Sequence, residues 1–514
     1  MSDILGSLIK RGLQIRQGID LKLISPWILQ KMVFRRLLDS ASKTQFGKHY
    51  DFKGILSSDN PIKKFQETVP IHDYNSMYNE WWHRLLDQEQ DVCWPGKIEY
   101  FALSSGTSGA PSKHIPISDE MLKYMRRASF KVFFSLSKYK FESAFYTREM
   151  LAVGSSSDLK DCGGYFAGDL SGINAKMPPL WAKGYYRPGT EISKIADWNE
   201  RIEVIAKNAL DWDIGSIVGV PSWVQLTLEK IIEYHNLDSI SDIWPNLEVF
   251  VHSGIAIGPY KSSFDKLIKN PINYVDSYLA SEGFIAFQNR PNADGMVLLA
   301  RNGIFFEFVP FDEVNFDAEG DLVQNPTAYT INDVVEGNEY AIVLSTCAGA
   351  WRYLLGDVVK FVNMDKFELV ITGRTKHFLS ITGEHLSVDN MNHAIELAQH
   401  ALGVCIQEYT VTALRSGAFF KHQWYVSCEP VVDATILKET IDSFLCEINE
   451  DYKTERSAFL DIELEVVPVQ MFFAWLKFEG RSFGQSKMPR VMKADQHNRW
   501  NNFICSTKSS NQHV

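Results

Sequence analysis

No run of apolar residues in this sequence approaches the ~20 needed to cross a bilayer. The N-terminal stretch MSDILGSLIKRGLQIRQGIDLKLI breaks its apolar residues with charges at helical spacing and lacks a small-residue cleavage site. It therefore reads as a helix rather than a signal peptide. Cysteine is sparse: Cys93, Cys162, Cys347, Cys405, Cys428, Cys446 and Cys505, with no C-x-x-C pair. That excludes a zinc ribbon or a disulfide framework and points to reduced thiols in a cytoplasmic enzyme. Positive charge is not in excess either. A net charge of −11 argues against nucleic acid as the main partner, and the missing apolar span argues against a membrane. Internal repeats and low-complexity tracts are also missing. What is present is ordinary for a folded protein: 45% apolar and 22% charged residues over 514 positions, enough for two or more cores.

Taken in order, residues 1 to about 50 read as helices, with apolar residues three and four apart from Pro26 to Ser42. A strand over Ile98–Leu103 and a helix from Asp119 to about Ser137 follow. Met150–Ser155 reads as a buried strand, and the Gly/Pro/Trp-rich stretch from Gly163 to Gly189 as one long functional loop. Helix (Trp198–Leu210), strand (Asp213–Val220), helix (Pro221–Tyr234) and strand (Leu247–Ser253) then alternate, which argues for parallel α/β layers. Beyond Gly295 short apolar runs with few helices predict an antiparallel β subdomain. The character changes again near residue 373. The expected fold is α/β: a large N-terminal domain over 1–372 with layered sheets, and a smaller, mobile α+β domain over 373–514.

The segment SSGTSGAPSK, residues 104–113, abandons hydrophobicity directly after a strand. Gly106 and Gly109 allow consecutive N–H groups to face one concavity, Ser104, Ser105, Thr107 and Ser108 add hydroxyls, and Lys113 adds a positive charge. Such a loop suits a polyphosphate; the plain alternative is a Gly/Ser surface turn. It is not G-x-x-x-x-G-K-[ST], since the lysine stands four residues past the last glycine and no Ser or Thr follows it. Three more polar clusters sit at the ends of apolar runs, where α/β sheets bind ligands. Tyr278-Leu-Ala280-Ser281-Glu282 offers a ring for a base and a carboxylate for Mg²⁺. Gly356-Asp357 puts a carboxylate on a tight turn, able to accept from ribose hydroxyls, or forms a simple hairpin. Gly373-Arg374 places a cation at a domain border.

Together these clusters resemble, in order and spacing, the adenylate-forming superfamily. The nearer similarity is to the Gretchen Hagen acyl-acid amido synthetases, particularly their bacterial relatives. YLASE matches that family's Tyr-x-x-Ser-Glu, and GQSKMPR (484–490) its C-terminal Gln-x-Lys-x-Pro-Arg. The phosphate motif departs by bringing its second glycine one place early, to Gly109. The third motif, usually Tyr-Arg-x-Gly-Asp, has Leu354 at its second position. Arg352 is a poor substitute, because two residues on one strand face lie ~6–7 Å apart.

The resemblance implies an ATP- and Mg²⁺-dependent ligase that adenylates a small acyl acid and joins it to an amino acid amine. A thioester ligase with coenzyme A or a carrier protein, and a degenerate nucleotide-binding paralogue, are the alternatives. It further implies nucleotide contacts from Ser104–Ser108, Gly254, Tyr278, Ala280–Glu282, Asp357 and Arg374, with Glu282 on the metal. Lys113 and Lys487 would be the catalytic cations, although Arg490 and Lys493 leave the choice of C-terminal cation open. Val220, Trp223 and Ile255 would line the acyl pocket, and Lys376 would be the hinge. The identities of the acid and the amine, and the oligomeric state, stay open.

Overall fold

The computed structural model describes residues 6–13, 25–104, 113–176, 184–317, 320–375, 386–416, 419–449, 452–453, 456, 460–480 and 488–511. The helix Pro26–Ala41 starts where Ser25 accepts from the Ile28 N–H and a proline fills the first turn, where its missing N–H costs nothing. Its apolar face buries Phe34, Leu37, Leu38 and Ala41. Phe34, Leu37 and Leu38 each contribute about 1.5–3 kcal/mol of burial. Phe34 meets Phe65 and Phe305, and Phe52 meets Trp351, so the early helices pack on the strands they cover.

Those strands form a 12-stranded sheet. Its parallel part runs through Glu149–Val153, Ile214–Gly219, Val249–Ser253 and Asn273–Ala280. The alternating helices arise as expected: Trp198–Asn208, capped by Asp197, and Pro221–His235, with proline first and Asn236 left-handed at its end. From Asn273–Ala280 the sheet continues antiparallel through Gly283–Phe287, Met296–Leu298 and Glu368–Arg374. It goes on to Tyr353–Asn363, Glu339–Thr346, Ile304–Pro310 and Tyr329–Thr330. The antiparallel strands expected after Gly295 therefore exist, but they extend the same sheet. A 4-stranded sheet joins Lys113–Ile117, Tyr100–Ser104, Phe166–Gly168 and Lys160–Asp161. It corrects the single long loop expected over Gly163–Gly189, which contains the strand Phe166–Gly168, the helix Leu170–Lys176 and the short strand Tyr186–Arg187.

The chain forms two compact units. One comprises residues 1–255, 268–315 and 322–370; the other comprises 256–267, 316–321 and 371–514. In the second unit a 3-stranded sheet (Cys405–Ser416, Phe419–Glu429, Leu460–Val466) carries the helices Val388–Leu402 and Ala434–Ile448. Val388–Leu402 opens with a capping box from Ser387 and closes on Gly403 at φ +63°. A separate aromatic cluster, Phe472, Trp475 and Trp500, ties Val469–Phe478 to Ala494–Asn511.

Candidate active site

Three of the expected motifs meet in the first unit. Val249–Ser253 runs beside Asn273–Ala280 with Ser253 opposite Ser277, which brings Gly254, at φ +84°, level with Tyr278. The Tyr278 ring is buried, and its hydroxyl donates to Asp357 Oδ2 at 2.6 Å. Their strands are not neighbours in the sheet, so two distant motifs are joined by side chains alone. Ser281 and Glu282 form the two-residue turn between Ala280 and Gly283, whose strands pair directly, and Glu282 is only 9% exposed.

Asp357 does not sit on a hairpin turn. It lies within the strand Tyr353–Asn363, at a bulge. Val343 pairs with Leu354 and Ala341 with Val358, so this strand carries two extra residues and Gly356 adopts φ +84°. A bulge re-aims one side chain while the ladder resumes on both sides. Arg352, read from sequence as sharing a strand face with Leu354, lies before the strand with φ +42°. Its guanidinium is buried. It pairs with Glu307 at 3.0 and 3.1 Å and donates to the carbonyls of Gln66 and Val69. It cannot stand in for the family arginine.

The glycine-rich segment connects two antiparallel strands, with Ser104 opposite Lys113, rather than a strand and a helix. Ser105, Gly106, Thr107 and Ser108 lie outside the described residues. Lys113 Nζ stands 5.2 Å from the Tyr74 ring centroid. Tyr74 packs on Trp82 at 6.0 Å and Trp82 on Tyr353 at 5.4 Å. This aromatic series links the end of the loop to the start of the strand that carries Asp357. Sequence reading passed over it, although Tyr74, Tyr78, Trp81 and Trp82 stand close together in the chain.

The expected acyl residues divide. Ile255 follows directly on Gly254 and ends the first segment of that unit. Val220 caps Pro221–His235. Trp223 is buried against Trp198 at 5.7 Å, and Arg201 lies over that ring, so packing between helices accounts for it. Arg374 ends the strand Glu368–Arg374 and is exposed. Lys376 and Lys487 lie outside the described residues. Arg490 is largely covered and ion-paired with Glu408, whereas Lys493 is exposed.

Protonation follows packing near this region. His72 Nδ1 donates to the Trp351 carbonyl at 3.0 Å, and its buried Nε2 has no partner among the described residues. Burial accordingly pulls the imidazole pKa below its usual value. On the strand of Tyr278, the half-exposed Asp276 carboxyl lies 3.3 Å from His252 Nδ1, and partial desolvation raises its pKa above the usual value.

A solved structure of the GH3.15 acyl acid amido synthetase superposes on 96% of this chain and 95% of its own, with a TM-score of 0.76 at 16% identity. The two chains therefore share one fold. The chain belongs to the GH3 family: models of its N-terminal, central and C-terminal domains match residues 19–210, 297–373 and 389–496. Among named relatives, the putative indole-3-acetic acid-amido synthetase GH3.9 of Arabidopsis thaliana is 24% identical over 55% of this chain, an alignment spanning about half (49%) of that protein. The jasmonoyl–L-amino acid synthetase JAR6 of Nicotiana attenuata is 22% identical over 73% of each chain.

Proposed function

We propose that this protein is an ATP-dependent ligase that adenylates a small acyl acid and then joins the acyl group to the amine of an amino acid. The observation that carries the reading is the Tyr278–Asp357 hydrogen bond, which holds the carboxylate of one nucleotide motif on the hydroxyl of another. Family membership supports the acid and amine classes. In the first step an oxygen of the acid bonds to the α-phosphorus of ATP, and pyrophosphate leaves with the bridging oxygen. In the second the amine nitrogen bonds to the acyl carbon, the carbon–oxygen bond to AMP breaks, and the nitrogen loses a proton.

The first step joins two anions, so the chain must neutralise charge. The loop over Ser104–Ser108 supplies hydroxyls and N–H groups to the phosphates, and Lys113 and Lys487 supply cations. Asp357, oriented by Tyr278, accepts from the ribose; Gly254, Ala280, Ser281 and Arg374 complete the nucleotide contacts. Mg²⁺ is commonly held by one or two carboxylates plus substrate phosphates, a donor set that the buried Glu282 carboxylate fits. Glu282 would hold the ion, which would offset phosphate charge. Val220 and Ile255 border the acyl group, with the division of labour falling at residue 373 and Lys376 as the hinge. The seven cysteines are free thiols, which supports a cytoplasmic enzyme, and the net charge of −11 supports small-molecule substrates over nucleic acid.

An amine acceptor is favoured over coenzyme A because Gly383–Ala413 contains no Lys or Arg. A wall without cations is poor for a cofactor carrying several phosphate charges. A screen of acids for pyrophosphate release, with an amino acid or with coenzyme A added, tests this. Acid-dependent AMP formation stimulated by an amino acid alone is expected. A thioester product formed with coenzyme A alone would overturn the amide assignment.

A further inference from the structure

Packing accounts for Trp223, but it leaves unexplained the charge that stands beside it. Pro221–His235 begins directly after the strand Ile214–Gly219 and Val220, so Trp223 lies in the first turn, at the carboxyl end of that strand. The Trp198 ring, 5.7 Å away, opens Trp198–Asn208 and brings the first turn of that helix to the same place. Ligands of open α/β sheets bind at the carboxyl ends of parallel strands. These residues all belong to the first unit, as do Gly254 and Tyr278.

Arg201 is only 4% exposed, yet its guanidinium makes one hydrogen bond, from Nη1 to the Ile195 carbonyl at 3.1 Å, and otherwise lies over the Trp198 ring at 5.1 Å. No carboxylate among the described residues pairs with it. Burial pulls its pKa below the ordinary value, and Asp197 opposes this only from a distance, its carboxylate capping the Glu200 N–H at 2.8 Å. The helix does not help, because Arg201 stands near its amino end, where the macrodipole disfavours a cation. A covered charge without a counter-ion is costly. Trp198 is likewise 4% exposed, and its Nε1–H has no partner among the described residues. A guanidinium on one carbonyl, stacked on an indole with no acceptor, leaves several donors together that an anion would satisfy.

We propose that Arg201 and the Trp198 N–H bind a carboxylate of the acyl substrate other than the one that reacts, so that the enzyme selects acids carrying two carboxylates. This rests on the reading of the protein as an acyl-acid ligase. The bound group is a second one because of where the sheet puts it. Val249–Ser253 separates Ile214–Gly219 from Asn273–Ala280, the strand of Tyr278. Two strand spacings amount to about 10 Å, and Arg201 stands off the sheet in a flanking helix. One carboxylate cannot span that distance; a molecule with a carboxylate at each end can. The fork of a guanidinium matches both oxygens of a carboxylate, and the indole N–H adds a third donor.

The test uses matched acids, hexanoate with adipate and phenylacetate with para-phenylenediacetate, in acid-dependent pyrophosphate release by the full-length protein. In at least one pair the diacid is expected to exceed its monoacid in kcat/KM on the order of tenfold, the scale of a charge-assisted contact. Arg201→Gln should remove that advantage and leave the monoacid unchanged, and Arg201→Lys, which keeps the charge without the fork, should fall between. Trp198→Phe keeps a ring and deletes only the N–H, so it should cost the diacid a few-fold even if the arginine variants fail to fold. Equal losses on both acids of a pair, or a wild type that prefers the monoacid in both pairs, would overturn the proposal. A second readout needs no activity: the preferred diacid should raise the wild-type melting temperature more than its monoacid, and Arg201→Gln or Trp198→Phe should shrink the difference. Equal shifts would also overturn it. A wild-type protein without acid-dependent pyrophosphate release would instead overturn the ligase reading, and the melting shifts would still decide whether Arg201 binds a carboxylate.

Discussion

Tyr278 is the residue at which chemistry and packing are hardest to separate. Its ring belongs to the core while its hydroxyl ends on the Asp357 carboxylate, so removing the oxygen alone isolates the polar role. Hydrogen bonds to charged groups contribute about 1.5–3 kcal/mol. Tyr278→Phe should therefore raise KM for ATP on the order of tenfold, measured by steady-state kinetics, and lower the unfolding midpoint modestly in thermal melting. An unaltered KM would detach Asp357 from the nucleotide. Arg352 illustrates the opposite case. The sequence set it two places from a missing family arginine, but its left-handed backbone turns it into the core toward Glu307. No periodicity in the sequence signals a positive φ at an arginine, which is why its role was not legible there.

At the scale of elements, the approach to Tyr353–Asn363 is held by His72. Its N–H donates to the Arg352 carbonyl, and its own carbonyl accepts from the Leu354 N–H. The imidazole is buried and neutral in the folded state, with its pKa lowered mainly by desolvation. The unfolded chain titrates near the ordinary value of ~6.5 and so binds more protons below it. Stability must then fall as pH drops below that value, with the sign of a group that is harder to protonate when folded. Melting at stepped pH between about 7.5 and 5 should show a smaller acid loss for His72→Gln than for the wild type; identical slopes would mean that His72 is not the titrating group. The elements themselves were largely legible: alternating helix and strand up to Ser253, and apolar runs after Gly295, follow from hydrophobic period alone. What period could not reveal was pairing. Gly356-Asp357 reads equally as a turn or as a bulge, and the choice depends on the register of the neighbouring strand Glu339–Thr346.

At the scale of the molecule, the motifs that stand out in the sequence as candidates are those whose chemistry demands a residue type, such as Glu282 and Asp357. Trp223 was less so, because a buried tryptophan satisfies helix packing and a ligand pocket alike. The division of the chain is the other feature hidden from a linear reading, since residues 256–267 belong to the same compact unit as 371–514. Ser262 and Ser263 of that stretch contact the buried Cys405 thiol at 3.2 and 3.0 Å, and Tyr260 reaches Glu408. A gene fragment that starts at residue 371 would therefore be translated without a strip of its own interior. Made alone, it should be poorly soluble, with Cys405 open to thiol reagents. Supplying residues 256–267 in trans as a peptide, or fusing them ahead of residue 371, should restore solubility and mask the thiol. A fragment that folds fully without them would show the strip to be dispensable.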